Sequence, residues 1–458
     1  MSIFKDCDIR GIYPTEIDAE AAHRIGRALA TLHPGARMCV GGDVRLSTPE
    51  LKSAFIRGLR ESGAAVEDIG VIPTPALYFA LRHRPCDGGA TVTASHNPPE
   101  YNGIKFMFGE IPVTRGDIDA VKAVCDSRAF ADRPGSVTSR DILPEYLAFL
   151  KGRFAAKKPL KIVVDAGNGA MSRVAPRAFR ASGYEVVELF CEPDGSFPNR
   201  DPNPAEYSHL GAVCAKVREV GADLGVAFDG DGDRAVFIDE KGRAVQNEKS
   251  LALFIRHLLK DGPTPVVYDQ KSSSAVKRAT LEMGGTPLPE RSGHAFIKRR
   301  FLEVRAAIAG EVSGHFFFGE LGYDDGLFAG LMMADILSEG ERTLSRLADG
   351  IVCPPITPDL RLYCPYDRQA EWLGRIEALG IEKGCEISRL DGVRLEFDGG
   401  WVLARKSVTA EQITLRVEAE SAEMLNRILA EVAAALPEAA RKTLSIWTQY
   451  LRSANGLE

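Results

Sequence analysis

No apolar run in the chain approaches the ~20 residues that a membrane-spanning helix needs. The opening residues, Met1-Ser2-Ile3-Phe4-Lys5-Asp6, carry no hydrophobic stretch of the signal-peptide kind. The nine scattered cysteines are an odd number and include no CxxC pair. A disulfide framework or a thiolate zinc site is therefore not expected, and reduced thiols in a cytoplasmic protein are. Basic blocks are missing too: 57 Lys and Arg against 63 Asp and Glu leave a net charge of −6, which argues against nucleic acid as the main partner.

What is present is ordinary globular sequence of 458 residues, 45% apolar and 26% charged. That length predicts three or four domains of roughly 100–150 residues. One unit occurs three times: a short apolar strand ending in Asp, a polar turn, an amphipathic helix, then a small residue and Gly. The first starts at Met38-Cys39-Val40-Gly41-Gly42-Asp43 with a helix over 48–61, and the second at Lys161-Ile162-Val163-Val164-Asp165 with a helix through 175–180. The third starts at Pro265-Val266-Val267-Tyr268-Asp269 with a helix through 275–283. Such alternation predicts βαβ units in mixed, mostly parallel sheets. After about residue 355 the pattern changes: Gln412 to Glu418 alternates polar and apolar, as a half-exposed antiparallel strand does, and a helix is expected from Ser421 to Leu436. The expected architecture is three related α/β domains, 1–150, 151–248 and 249–354, and a C-terminal α+β domain, 355–458.

Four segments carry chemistry. Thr93-Ala94-Ser95-His96-Asn97-Pro98 follows the strand-like Gly88–Val92 and precedes Tyr101-Asn102-Gly103-Ile104-Lys105. It presents a serine hydroxyl on a Pro-pinned loop with Lys105 nearby as acid, base or phosphate partner, although an ordinary turn uses the same residue types. No Gly-x-Ser-x-Gly elbow surrounds Ser95, which disfavours a hydrolase triad. In Asp229-Gly230-Asp231-Gly232-Asp233-Arg234, three alternating carboxylates separated by glycines can converge on one hard cation such as Mg²⁺. An EF-hand is excluded: the sixth position of that loop needs Gly and holds Arg234, and the flanks read as strands. Gly310-Glu311-Val312-Ser313-Gly314-His315 follows an apolar strand expected over 305–309 and offers hydrogen-bonding groups, or a routine turn. Trp401 to Thr409 places Arg405, Lys406, Ser407 and Thr409 on a predicted loop between strands, suited to a phosphate or to solvent. Arg10, Lys271 and the run from Arg291 through His294 to Lys298 are further cationic candidates.

In order and over essentially the full length, these segments resemble the phosphoserine, metal, sugar and phosphate loops of the α-D-phosphohexomutase superfamily, most of all its bacterial phosphomannomutase/phosphoglucomutase group. Asp8-Ile9-Arg10-Gly11, Pro73-Thr74-Pro75 and Asp165-Ala166-Gly167-Asn168-Gly169 are secondary matches. The resemblance implies four domains around a cleft, the fourth mobile, and an intramolecular phosphotransferase that works through phospho-Ser95 and a hexose 1,6-bisphosphate. It also implies Mg²⁺ on Ser95, Asp229, Asp231 and Asp233. Lys105, His294, Arg10 and Arg234 would serve catalysis. Glu311, Ser313 and His315 would bind the sugar, and Arg405, Ser407, Thr409, Lys271 and Lys298 the distal phosphate. The implied partners are phosphorylated hexoses, not nucleic acid or membrane, for a monomer or dimer. Phosphoglucosamine mutase is the rival within the reaction type; a sugar phosphatase and a non-catalytic sugar-phosphate-binding protein are more remote. Three positions depart from the family pattern: Val408 where Gly or Asn is usual, Gly42 for Arg, and Cys7 for Tyr.

Overall fold

The computed structural model describes residues 3–407 and 411–444. Within it, three sheets repeat one plan. A buried strand leads to the repeat's aspartate in each: Arg37–Gly42 before Asp43, Lys161–Asp165, and Pro265–Asp269. A parallel strand flanks it on one side (Ala65–Val71, Glu185–Leu189, Thr286–Glu290) and another on the other side (Gly88–Val92, Leu224–Phe228, Ile308–Gly310). Beyond that second neighbour the chain returns antiparallel, through Tyr101–Phe108, Ala235–Asp239 and Phe316–Phe318. The sheets are thus mixed, and their antiparallel share is larger than strand–helix alternation alone suggests, because a hairpin return needs no helix to mark it. The first sheet is extended by Ile9–Ile12 on the return strand and by Ser136–Ser139 at the far edge.

This plan gives the motifs equivalent places. The Ser95 loop, the Asp229–Arg234 loop and the Glu311–His315 loop each join the second parallel neighbour to its antiparallel return. All three therefore emerge at the carboxyl ends of parallel strands, where open α/β sheets generally present ligand sites.

The predicted helices form at Thr48–Glu61, Ala175–Ala181 and Ser274–Glu282. The strand expected over 305–309 starts later, at Ile308, because the helix His294–Val304 runs up to Arg305, which caps it at φ 51°. One apolar core joins the three α/β units. Its centre is the helix Gly326–Glu339, buried on nearly every face, with Tyr78 and Phe79 from the first unit, Phe179 and Phe237 from the second, and Phe254 and Phe316 around it. The fourth unit is an antiparallel sheet in the order Leu360–Tyr363, Gln412–Ala419, Gly400–Lys406, Val393–Phe397, Glu386–Ser388, covered by helices Gln369–Glu382 and Ala422–Ala435. It has a core of its own.

Two of the cysteines, Cys39 and Cys86, meet with Cα atoms 6.5 Å apart. Strand pairing of Met38 with Gly88 brings them together across 47 positions, a spacing that no sequence motif marks.

Candidate active site

Ser95 stands at φ 51°, the left-handed region that a side-chain-bearing residue enters at a cost of about 1–2 kcal/mol. The conformation turns its hydroxyl toward the second unit, where Oγ donates to Asp229 Oδ2 at 2.9 Å. The approach requires glycine on the facing loop, since a Cβ on Gly230 would stand 2.4 Å from the Ser95 carbonyl oxygen. Asp229, Asp231 and Asp233 are all fully buried. Lys105, on the return strand beside the serine loop, donates to Asp231 Oδ2 at 2.9 Å and to Asp233 Oδ2 at 2.8 Å. Thr74 adds a hydroxyl hydrogen bond to Asp231 Oδ2 at 2.7 Å.

Oxygens from the three aspartates lie within 4.8 Å of one another. Oδ1 of Asp231 and Oδ1 of Asp233 are buried without a hydrogen-bond donor. Buried carboxylate oxygens are costly to leave unsatisfied. Three hard oxygen donors with two unused lone-pair positions fit a small divalent cation that keeps further sites open for a phosphate. The electrostatics agree. Burial, then Asp233 and Asp231, push the Asp229 carboxyl well above its usual range. Burial also opposes the Lys105 ammonium, but Asp231 and Asp233 outweigh it and hold that pKa well above 10.5. Asp233 feels burial most, yet Lys105 and His315 together keep it below the normal carboxylate range.

Above the aspartates opens a cleft of about 210 Å³ lined by Ser95, Lys105, Arg10, Arg234, His294, His315 and Lys298. Arg10 donates to Asn97 Oδ1 at 2.5 Å and to Asp8 at 2.6 Å. Arg234 Nε lies 2.9 Å from His315 Nε2 and 3.7 Å from Asp229. His315 Nδ1 lies 2.7 Å from Asp324 Oδ2, and His294 Nε2 is 2.9 Å from the other oxygen of the same carboxylate. Lys298 sits 4.1 Å over the Tyr78 ring, and burial lowers its pKa to about 8 against the pull of Asp324 and Glu110. His96, beside the serine, is held well below 6.5 by burial and then by Arg234, Arg10 and Lys105, so its ring is neutral at pH 7.

The other described candidates lie in the third and fourth units. Ser313 donates to Glu311 Oε2 at 2.8 Å, and Glu311 Oε1 accepts from the Gly293 amide. Lys271 pairs with Asp359 at 3.2 Å. Arg405 lies in the strand Gly400–Lys406 rather than on a loop, with Nε 2.7 Å from Asp391, whose carboxylate also accepts from the Ser292 amide at 3.2 Å. Ser407 follows that strand and is half-buried. Val408 and Thr409 lie outside the described residues. Sequence reasoning missed Asp324, the shared partner of both histidines; the signal was the acidic pair Asp324-Asp325 directly before a helix, which reads on its own as a cap.

Comparison with known proteins adds independent findings. Family models described as phosphoglucomutase/phosphomannomutase, alpha/beta/alpha domains I, II and III match residues 1–132, 144–242 and 246–353. The chain is 36% identical over 433 residues to the phosphomannomutase/phosphoglucomutase of Pseudomonas aeruginosa, covering 93% of this chain and 94% of that one. It is 38% identical over 438 residues to the phosphoglucomutase of Neisseria gonorrhoeae, covering 93% and 95%. A crystal structure of a phosphoglucomutase/phosphomannomutase family protein from Burkholderia thailandensis superimposes with a TM-score of 0.90 at 36% identity, covering 95% of this chain and 97% of that one. Among the described residues no helix is long and apolar enough to cross a membrane.

Proposed function

Because the chain belongs to the phosphoglucomutase/phosphomannomutase family and is a hexose-phosphate mutase, we propose that it interconverts the 1- and 6-phosphates of mannose, glucose or both through phospho-Ser95. The observation that carries this reading is the contact of the Ser95 hydroxyl with a buried carboxylate triad that keeps two oxygens unsatisfied.

In the first half-reaction the free hydroxyl of the substrate attacks the phosphorus on Ser95. A P–O bond to the sugar forms, the bond to serine oxygen breaks, and the hydroxyl proton passes to a base. The product is a hexose 1,6-bisphosphate. In the second half its other phosphate returns to Ser95 and the proton is given back. Phosphoryl transfer of this kind needs in-line geometry and charge neutralisation more than covalent help. Arg10 and Arg234 face the serine from the cleft and stabilise phosphate charge. Lys105 and His294 are the proton carriers of this scheme. Mg²⁺, when bound, would be held by Asp229, Asp231 and Asp233 with phospho-Ser95 and would supply charge neutralisation at the leaving oxygen.

Glu311, Ser313 and His315 take the ring hydroxyls in either orientation, and Arg405, Ser407, Thr409, Lys271 and Lys298 hold the phosphate that does not react. We further place the enzyme in the cytoplasm, as a monomer or dimer, with domain boundaries near 150, 248 and 354. The separate core of the fourth unit supports the last of these.

Intact mass is the direct test. The purified enzyme should carry an additional ~80 Da on Ser95, lost on incubation with excess hexose phosphate. A preparation that turns over steadily with Ser95 unmodified at every stage overturns the reading. A panel of mannose, glucose and glucosamine phosphates then ranks the sugars.

A further inference from the structure

The guanidinium of Arg45 is fully buried, 50 positions from the serine loop in sequence, and all five of its N–H donors are used. Nη2 donates to the carbonyls of Ser95 at 2.8 Å and Asn97 at 2.6 Å. Nη1 donates to those of Pro98 at 2.6 Å and Tyr101 at 3.0 Å. Nε donates to Asp43 at 3.1 Å. Asp43 then reaches the other side of the serine: it accepts from the Thr93 hydroxyl at 2.7 Å, and that hydroxyl accepts from the Ser95 amide at 2.9 Å. Both backbone polar groups of Ser95 are therefore held by one buried ion pair.

A buried cation is expensive unless paired and saturated, and a single carboxylate would fix Arg45 with fewer partners. Its extra donors go to four carbonyls of one loop, whose serine adopts a conformation disfavoured for its type. The second unit closes over this arrangement. Phe197 places its ring 5.0 Å from the Arg45 guanidinium carbon, and a Cβ on Gly195 would meet Arg45 Cα at 2.6 Å. We propose that Arg45, with Asp43 and Thr93, is a positioning residue that clamps Ser95 at positive φ and keeps its hydroxyl aimed at the Asp229 loop. The inference rests on the reading of Ser95 as the phosphate carrier.

Lysine cannot reproduce the clamp, because three donors on one nitrogen cannot span four carbonyls and a carboxylate. Arg45→Lys should lower kcat about 100-fold, the scale of a misplacement near 1 Å, with KM changed less than about threefold. Added guanidinium salt should restore part of the activity of Arg45→Ala but none of that of Arg45→Lys. Thr93→Val, close in shape, removes only the Ser95 amide arm and should lower kcat about tenfold with the fold retained. It decides the matter if the Arg45 variants do not fold. Ser95 phosphorylation is followed by mass in each. If wild type carries phosphate on Ser95 and a folded Arg45→Lys or Thr93→Val variant keeps wild-type kcat, this inference fails alone. If wild type turns over with Ser95 unmodified, the underlying reading fails and takes the clamp with it.

Discussion

Ser95 Oγ and Asp229 Oδ2 lie 2.9 Å apart although 134 positions separate them, so the serine loop of one sheet and the acidic loop of the next meet as donor and acceptor. Removing the donor separates chemistry from folding. Ser95→Ala should lose steady turnover to background while its melting temperature stays within a few degrees of wild type, since one hydrogen bond to a charged group contributes about 1.5–3 kcal/mol. Coupled assays with calorimetry on the same preparation check this. Substantial mutase activity in the variant would remove Ser95 from the mechanism.

Lys105 occupies the place between Asp231 and Asp233 and donates to both Oδ2 atoms, so its ammonium and a cation on the unsatisfied Oδ1 atoms would share the same two carboxylates. Lys105→Met leaves fully buried carboxylates without that partner, which costs about 3–5 kcal/mol. A divalent ion should compensate. The expected result is a large drop in melting temperature in EDTA and a larger Mg²⁺-induced rise than in wild type. Equal Mg²⁺ shifts in the two proteins would show that lysine and metal do not share these carboxylates.

Much of this arrangement was legible from sequence because its signals are local. Alternation of strand and helix, the glycine-spaced aspartates and the capped helix after Ser421 each depend on neighbours within a few residues. The unread parts are all long-range. Arg45 finds its carbonyls some 50 positions on, Thr74 meets Asp231 across 157, and one carboxylate of Asp324 gathers two histidines from different elements. Each of these residues carries a local signature that does not name its partner: an arginine in a polar turn, a threonine between prolines, an aspartate before a helix. Their meaning comes from the packing of the sheets, which fixes partners but leaves no periodicity to read.

Asp325 caps the helix Gly326–Glu339 through the Phe328 amide and accepts from the Tyr146 hydroxyl at 2.8 Å, deep in the shared core. Burial raises its carboxyl from 3.8 to about 7 against the opposing hydrogen bonds of Phe328 and Tyr146. The folded state thus binds the proton more tightly than the unfolded one, so its contribution is full below pH 3.8 and declines as pH rises toward about 7. Asparagine keeps the cap and cannot ionise. The stability of Asp325→Asn relative to wild type should therefore rise between pH 4 and pH 7, by at most about 4 kcal/mol, and level off above. Denaturant melts of both proteins across that range test it, and a difference independent of pH would mean the carboxyl titrates normally.

Arg405 is ion-paired with Asp391, and Asp391 also takes the Ser292 amide, so one carboxylate joins the fourth unit's cation to the third unit. A phosphate arriving at Arg405 finds a guanidinium already ion-paired with a carboxylate. Arg405→Ala should raise KM for hexose phosphates about 10- to 100-fold, the loss of one charge-assisted contact of roughly 1.5–3 kcal/mol, with kcat reduced far less. Asp391→Asn keeps the shape but weakens the orientation, so it should shift KM in the same direction and by a smaller factor. Initial-rate kinetics on both variants decide the point. Wild-type KM in Arg405→Ala would place the distal phosphate elsewhere, and a lowered KM in Asp391→Asn would make Asp391 a competitor of the phosphate rather than its organiser.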